Sequence, residues 1–264
     1  MSKTKNGGEL TISQKIEKLC RSKYSSGPKA VFDDVIQLAF NLLTVPAIVQ
    51  GAFPRTKTAA DPALLNEVRR YEKDAEAWAL LQEIVLDFIK LIAESDPFTD
   101  VIGELYDEYL GKVLGQFLTP SDVATGVAAI HLSIMPKPDR RMRIGDPCGC
   151  GAGSMVLAML RQIHQVHGPD ALKLMEVIAT DLDPHMVRLC TVQVVMSAIT
   201  HRLPLAAYAA HCCNSLTDQS PFLNHPGTLA YVWEPLLPFE EFYKEELGAM
   251  KQITKKFKEM EPTL

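Results

Sequence analysis

The stretch that most constrains this chain is Asp146-Pro147-Cys148-Gly149-Cys150-Gly151-Ala152-Gly153-Ser154. Arg143-Ile144 lead into it, and the apolar run Met155-Val156-Leu157-Ala158-Met159-Leu160 follows. It reads as a strand end, a glycine turn and the start of a helix. Three alternating glycines, Gly149, Gly151 and Gly153, let the backbone turn tightly and let a ligand come close. The first turn of the next helix offers unpaired N–H groups to something polar or anionic. An ordinary strand-to-helix turn has the same appearance, so the neighbouring segments decide its meaning.

Downstream, strands and helices alternate. A helix is expected over 154–167, a short one over 170–175, and a buried strand over 176–181 that ends on Asp181. Pro184 starts a helix running to about residue 199. A strand over 205–213 ends at Asn214, another covers 228–233, and a charged amphipathic helix over 239–260 follows. This alternation predicts a parallel sheet, with ligands bound beyond the carboxyl ends of its strands.

Upstream, apolar residues at helical spacing predict helices over 12–21 and 31–43, with Pro46 and Pro54 punctuating the connection that follows. Asp61-Pro62 opens a long helix to about Glu94, Asp being a good N-cap and Pro suiting the first helical position. Trp78, Leu81, Ile84, Val85, Phe88, Leu91 and Ile92 form its apolar stripe. Asp96-Pro97 caps a helix over 98–114, and Ser121 or Thr119 caps one over 123–134. The expected division is a basic, partly mobile arm at 1–28, a helical unit at 29–114, and a cofactor-binding domain at 115–264.

Composition narrows the function. With 47% apolar and 22% charged residues the bulk of the 264-residue chain can form a core. A net charge of −5 is not that of a protein gripping duplex DNA through its phosphates alone. The charge is uneven, however: the first 30 residues and the tail are basic, and 61–108 is acidic. Basic ends either touch a polyanion or are simply solvated. The six cysteines form no C-x-x-C pair, which fits reduced thiols in a cytoplasmic protein. A metal site built from Cys148, Cys150, Cys212, Cys213 and His211 is conceivable but disfavoured, and no metal is assigned. No apolar leader and no run long enough to span a membrane is present, so no membrane partner is expected.

Four features then fall where one ligand could touch them all: the glycine turn, Asp181, Asn214, and the strand end Tyr231-Val232-Trp233-Glu234-Pro235-Leu236-Leu237-Pro238-Phe239. An acid at the position of Asp181 can accept both hydroxyls of a ribose. Asn214 can hydrogen-bond an adenine edge.

Gly115-Gln116-Phe117-Leu118-Thr119-Pro120, then Asp146-Pro147 with its glycines, then Asp181-Leu182-Asp183-Pro184, then Asn214-Ser215-Leu216, stand in the order and approximate spacing of the adenine-N6 DNA methyltransferases. The chain most resembles the modification subunits of type I restriction systems, over about residues 98–237. The segment 101–110 resembles the helix before that family's Gly-Gln-Phe motif. The resemblance implies an α/β, Rossmann-like S-adenosylmethionine-dependent methyltransferase fold with a truncated sheet behind an N-terminal helical unit. It implies that Phe117, Thr119 and Pro120 line the methionine end of S-adenosylmethionine. Asp146, Pro147, Gly149, Gly151 and Gly153 would hold the amino-acid part, Asp181 the ribose and Asn214 the adenine. The cofactor's cationic groups suit Asp146.

Two departures stand out. The glycines sit one position out of the family's Asp-Pro-x-x-Gly-x-Gly register. The family's catalytic signature, Asn or Asp, Pro, Pro, aromatic, is replaced by Glu234-Pro235-Leu236-Leu237. That signature places two acceptors on the target amine and an aromatic against the flipped base. Glu234 and Pro235 keep part of it, and Trp233, Tyr231 or Phe239 could stack. The expected catalytic residues are therefore Glu234, Pro235 and Trp233. No target-recognition domain is evident, so low sequence specificity or single-stranded DNA is expected, unless a second copy or an accessory specificity subunit supplies the rest. Family analogy places such an enzyme in bacteria, on a plasmid or other element facing restriction. The rival readings are an inactive cofactor-binding regulatory subunit and a methyltransferase acting on protein or RNA.

Overall fold

A computed structural model describes residues 10–49, 56–102, 105, 118–223 and 227–235. Five strands form one sheet in the order β1-β5-β4-β3-β2, where β1 is Thr56–Ala60, β2 Met142–Asp146, β3 Met175–Asp181, β4 Ala207–Cys212 and β5 Leu229–Pro235. The β2–β3 and β3–β4 pairs are parallel, while β5 is antiparallel to both β4 and β1. Four strands thus run one way and β5 alone is reversed. This is a mixed α/β, Rossmann-like sheet.

Six helices accompany it among the described residues: α1 (Ile12–Cys20), α2 (Pro28–Val49), α3 (Ala75–Glu94), α4 (Ser121–Ile134), α5 (Ser154–His167) and α6 (Pro184–Thr200), with a single turn at Pro169–Leu172. The element at the centre is α6. Every residue from Met186 to Ile199 is buried, because the helix lies between the sheet on one side and α2 and α3 on the other. Val187, Leu189, Val192, Val194, Val195 and Ile199 make it apolar enough to need that enclosure, while Arg188, Thr191, Gln193 and Ser197 are polar side chains buried with them. Asp183 caps it by accepting from the His185 N–H at 2.8 Å, and Pro184 takes the first helical position. The sheet offers α6 one face, carrying Val177, Ala179, Tyr208, Ala210 and Cys212, all buried. Residues of the other face, such as Glu176, Ile178, Ala209 and His211, are half-buried.

The N-terminal region departs from a purely helical unit. β1 joins the sheet edge beside β5, and the Asp61 N–H extends that pairing to the Ala230 carbonyl at 2.8 Å. Residues of α1, α2 and α3 belong to the same apolar core as the sheet. Pro46 lies inside α2 rather than in a connection, and Pro54 lies outside the described residues. The long helix expected from Asp61 is broken. Asp61 caps only a 3-10 turn, accepting from the Ala63 N–H at 2.7 Å. Gln37 and Asn41 of α2 then donate to the carbonyls of Leu64 and Asn66, both at 2.8 Å. Those carbonyls would otherwise continue the helix, which restarts at the Asp74 cap. Asp96-Pro97 opens a turn with Phe98 at φ +57°, and most of the helix expected over 98–114 lies outside the described residues. The N-cap position of α4 is Pro120, with no side-chain cap, so neither Ser121 nor Thr119 plays that part. The helix expected over 239–260 lies outside the described residues.

The described part of the basic arm is docked. α1 begins at a reciprocal capping box between Thr11 and Gln14 and buries Ile16 and Leu19 against the core. Its Lys15 is buried and donates to Asp87 of α3 at 2.8 Å, with Glu83 at 3.4 Å. Basic α1 thus neutralises acidic α3. Burial pulls the Lys15 pKa down, but the two carboxylates outweigh it and the net shift is upward from 10.5. Its stabilisation is therefore fully present below about pH 10.5 and is lost as pH rises through the folded value. Lys15→Ala is expected to cost about 1–3 kcal/mol in urea unfolding at neutral pH, because Asp87 loses its partner at a partly buried site.

Candidate functional site

The carboxyl ends of β2, β3 and β4 are tied together around Asp181. The β2 loop closes onto β3: the N–H groups of Gly149 and Cys150 donate to the Thr180 carbonyl at 3.1 and 2.8 Å. The Gly151 N–H donates to Asp181 Oδ2 at 3.0 Å. From the other side, the Cys213 N–H at the end of β4 donates to the Asp181 carbonyl at 2.9 Å. The Asp183 N–H completes the set by donating to Asp181 Oδ1 at 2.9 Å. Burial raises the Asp181 pKa, and these backbone N–H groups offset only part of that rise. Each carboxylate oxygen accepts one of these bonds and retains a lone pair for a ligand hydroxyl.

The three glycines serve different ends. Gly149, Gly151 and Gly153 all have positive φ, at +114°, +52° and +94°. A Cβ on Gly153 would stand 2.9 Å from Cys190 Sγ, so this glycine lets the loop lie against α6. A Cβ on Gly151 would meet only the tip of Leu118 at 3.0 Å. A Cβ on Gly149 would stand in ordinary contact with Asp181, 3.9 Å from Oδ2. At Gly149 it is therefore the φ of +114°, rather than lack of space, that calls for glycine.

Of the sequence-predicted residues, Asp146, Pro147, Gly149, Gly151, Gly153, Asp181 and Asn214 share this end of the sheet. Asp146 Oδ1 accepts weakly from the Cys148 N–H at 3.4 Å. Asn214 is exposed, and its Oδ1 is engaged by the Leu216 N–H at 2.9 Å, leaving the amide nitrogen as its donor. Thr119 and Pro120 are exposed and follow Leu118, which packs at Gly151. Gly115, Gln116 and Phe117 lie outside the described residues.

Trp233, Glu234 and Pro235 are not brought to this end. β5 runs antiparallel to β4, with Leu229 opposite His211 and Trp233 opposite Tyr208. The C-terminal end of β5 thus lies at the amino end of the parallel strands. The expectation that four strand ends converge on one ligand is corrected to three. The stacking role expected of the aromatics meets a second obstacle. Trp233 is 3% exposed and Tyr231 1% exposed, the latter packed at 5.6 Å from Phe40 and 6.1 Å from Tyr208. Neither can stack on a base without leaving the core. Phe239 lies outside the described residues.

Sequence reasoning missed the support beneath the loop. Gln193 of α6 donates through Nε2 to the Ala152 carbonyl at 2.7 Å and to Asp100 Oδ1 at 2.8 Å. Its Oε1 accepts from the N–H groups of Val101 and Ile102 at 3.2 and 3.1 Å. Ser154 hydrogen-bonds Asp100, Ser197 accepts from the Phe98 N–H, and His201 meets the Ser95 carbonyl. Segment 95–102 and the glycine loop are thus pinned to one helix. The signal was present: Gln193, Ser197 and His201 recur at every fourth position along α6 and its C-cap. Leu182, 47% exposed directly after Asp181, was also missed, and it offers an apolar surface beside the acid.

A cavity of about 560 Å³ lies on the outer side of β2, between α4 and α5. Val127, His131, Met135, Ile144, Met155 and Met159 line it, and Asp146 joins it to the strand-end cluster. Cys150 and Cys212 are buried: the neighbouring Cys190 thiol and then burial raise the Cys150 pKa, and burial pushes that of Cys212 up to about 12. Among the described residues no group of His, Cys, Asp and Glu could hold a metal ion, and no helix is long and apolar enough to cross a membrane.

A family model described as N-6 DNA methylase matches residues 95–246, more than half of the chain. The chain belongs to the N-6 DNA methylase family. No curated relative and no solved structure matches it. Family members methylate DNA at the adenine N6 position with S-adenosylmethionine as donor.

If the glycine loop is set by contact with α6, Gly153→Ala should cost about 1–3 kcal/mol, from left-handed strain plus the clash with Cys190. Gly151→Ala, nearer the allowed left-handed region and facing only a flexible leucine tip, should cost about 1 kcal/mol. Thermal unfolding of the two variants checks the order.

Proposed function

We propose that this N-6 DNA methylase binds S-adenosylmethionine across the carboxyl ends of β2, β3 and β4 and transfers its methyl group to adenine N6 in DNA. The observation that carries the reading is the contact between the Gly151 N–H and the Asp181 carboxylate. It holds a glycine loop and a strand-end acid at the spacing a nucleoside with a charged tail needs. Asp181 takes the ribose hydroxyls, with Leu182 against the adenine and the Asn214 amide at its edge. Asp146 and the loop hold the amino-acid end, and Thr119-Pro120 flank the methyl-bearing sulfur. S-adenosylmethionine supplies an electrophilic methyl group when bound. The cavity beside Asp146 receives the unstacked target base, which favours single-stranded or locally opened DNA, where extrusion costs least.

The acceptors for the amine hydrogens come from residues outside those described or from a partner, either a second copy or a specificity subunit. Glu234 is not among them, because the β5 register carries it to the far end of the sheet. Likeness to type I modification subunits supports a setting in bacterial restriction-modification, including plasmids, and a cytoplasmic location.

Transfer of tritium from labelled cofactor to single-stranded DNA, duplex DNA, RNA and protein tests the reading. Incorporation at adenine N6 is expected with DNA, fastest with single strands. Cofactor binding without transfer to any acceptor would favour the regulatory reading.

Asp181→Ala should weaken cofactor binding roughly 10- to 100-fold, the cost of losing charge-assisted hydrogen bonds. Because the Asp181 pKa is raised, wild-type affinity should fall with decreasing pH from a point above the ordinary 3.8. Protonation of a raised aspartate favours the folded chain, so this loss is distinct from acid unfolding. Asp181→Asn should remove the pH dependence while keeping one acceptor oxygen, as calorimetry across that pH range would report.

Glu234→Ala should leave both cofactor affinity and the transfer rate within about twofold of wild type, for which ΔΔG is under about 0.5 kcal/mol. A loss of transfer with affinity intact would restore Glu234 to the catalytic site.

A further inference from the structure

Arg188 of α6 is 2% exposed, yet its Nε and Nη1 have no hydrogen-bond partner. Its Nη2 meets His185 Nδ1 at 3.2 Å. Arg188 is one of the residues lining a cavity of about 490 Å³, with its Nε and Nη1 buried behind the cavity wall. The walls of this cavity come from α2, the segment 63–70, the first two turns of α6 and Phe222-Leu223, all separate from the loop around Asp181.

The other charges at the cavity are already matched. Asp33 is held by Lys29 Nζ at 2.7 Å, with His185 at 3.6 Å. Asp34 pairs with Arg70 at 3.1 Å, and Glu67 pairs with Arg69 at the rim. Gln37 and Asn66 are bonded to backbone carbonyls. Arg188 is the cation left over, and no carboxylate lies at ion-pair distance from it among the described residues. Burial pulls the Arg188 pKa down, while Asp183 and Asp33, nearby but not in contact, push it up.

A buried guanidinium with two unmade hydrogen bonds is costly, because desolvation of the charge is not repaid. The cavity is larger than one or two waters need and lies in the range of small-molecule sites. We propose that it binds a small oxyanion, a carboxylate or a phosphate, toward which the Arg188 side chain turns so that Nε and Nη1 become its donors. The ligand is small because the guanidinium is enclosed, and singly charged species suit it best, because Asp33, Asp34 and Asp183 stand close. Phe222 and Leu223 provide an apolar wall for whatever carries the charged group.

The Arg188 Nε–H resonance in wild-type protein reads this site directly. It is assigned by its disappearance in Arg188→Met and, independently, in Arg188→Lys. Inorganic phosphate and acetate are titrated separately, with chloride holding ionic strength constant. A saturable shift of that resonance with at least one of the two anions is expected, and the preferred anion identifies the headgroup. The same anion should raise the melting temperature of wild type saturably and leave that of Arg188→Met at the chloride baseline. The methionine variant should fold, since it removes an unpaired buried charge. If it does not, the wild-type titration decides alone. No saturable response to either anion would mean that no oxyanion reaches Arg188, and would overturn the proposal. Equal thermal shifts in wild type and Arg188→Met would overturn it as well.

Discussion

The grip of the β2 loop on the end of β3 is the interaction on which the rest depends. Three consecutive N–H groups, from Gly149 to Gly151, point at Thr180 and Asp181. Positive φ at Gly149 and Gly151 allows this, and Gly153 then turns the chain into α5 against Cys190. On the opposite side the end of β4 donates to the same residue. Asp181 is therefore both a structural fastener and, at 3.0 Å from the Gly151 N–H, more closely held to the glycine loop than Asp146, which meets the Cys148 N–H at 3.4 Å. A ligand hydroxyl placed there adds to a network already fixed, so little ordering remains to be paid for on binding.

Helix α6 carries that arrangement to the rest of the protein. Its N-terminus is set by Asp183, two residues after Asp181, and Gln193 reaches back to the Ala152 carbonyl. One buried helix thus fixes the loop from below while packing on the sheet and on α2. The N-terminal elements are consequently not an appendage: they enclose α6, add β1 to the sheet and lend the first turns of α6 a polar cavity. Folding of the glycine-loop side and of the N-terminal side should be coupled through α6.

Much of this was legible in the sequence, where local signals and tertiary context agreed. The glycine turn, the apolar strand ending on Asp181, and Asp183-Pro184 as a helix start all carry short-range physics that packing did not override. The failures arose where long-range pairing decided. Thr56–Ala60 has no apolar alternation and is a strand because the backbone of β5 pairs with it. The direction of β5 cannot be read from Leu229–Pro235, whose aromatics suit a core as well as a site; only pairing with Tyr208 and Thr58 reveals it. Asp61-Pro62 is a sound helix start, but Gln37 and Asn41, more than 20 residues away, capture the carbonyls needed to continue. The cluster at the carboxyl ends of β2, β3 and β4 was therefore readable, and the placement of Glu234 was not, because a motif alignment stood in for topology.

The central claim is that the cofactor lies against Asp181 and the glycine loop, at the opposite end of the sheet from Glu234. Ultraviolet cross-linking of methyl-labelled S-adenosylmethionine, followed by peptide mapping, tests it most directly. Label is expected in peptides spanning 118–120, 146–154, 181–183 or 214–216. Label confined to the peptide carrying residues 229–235 would contradict the account.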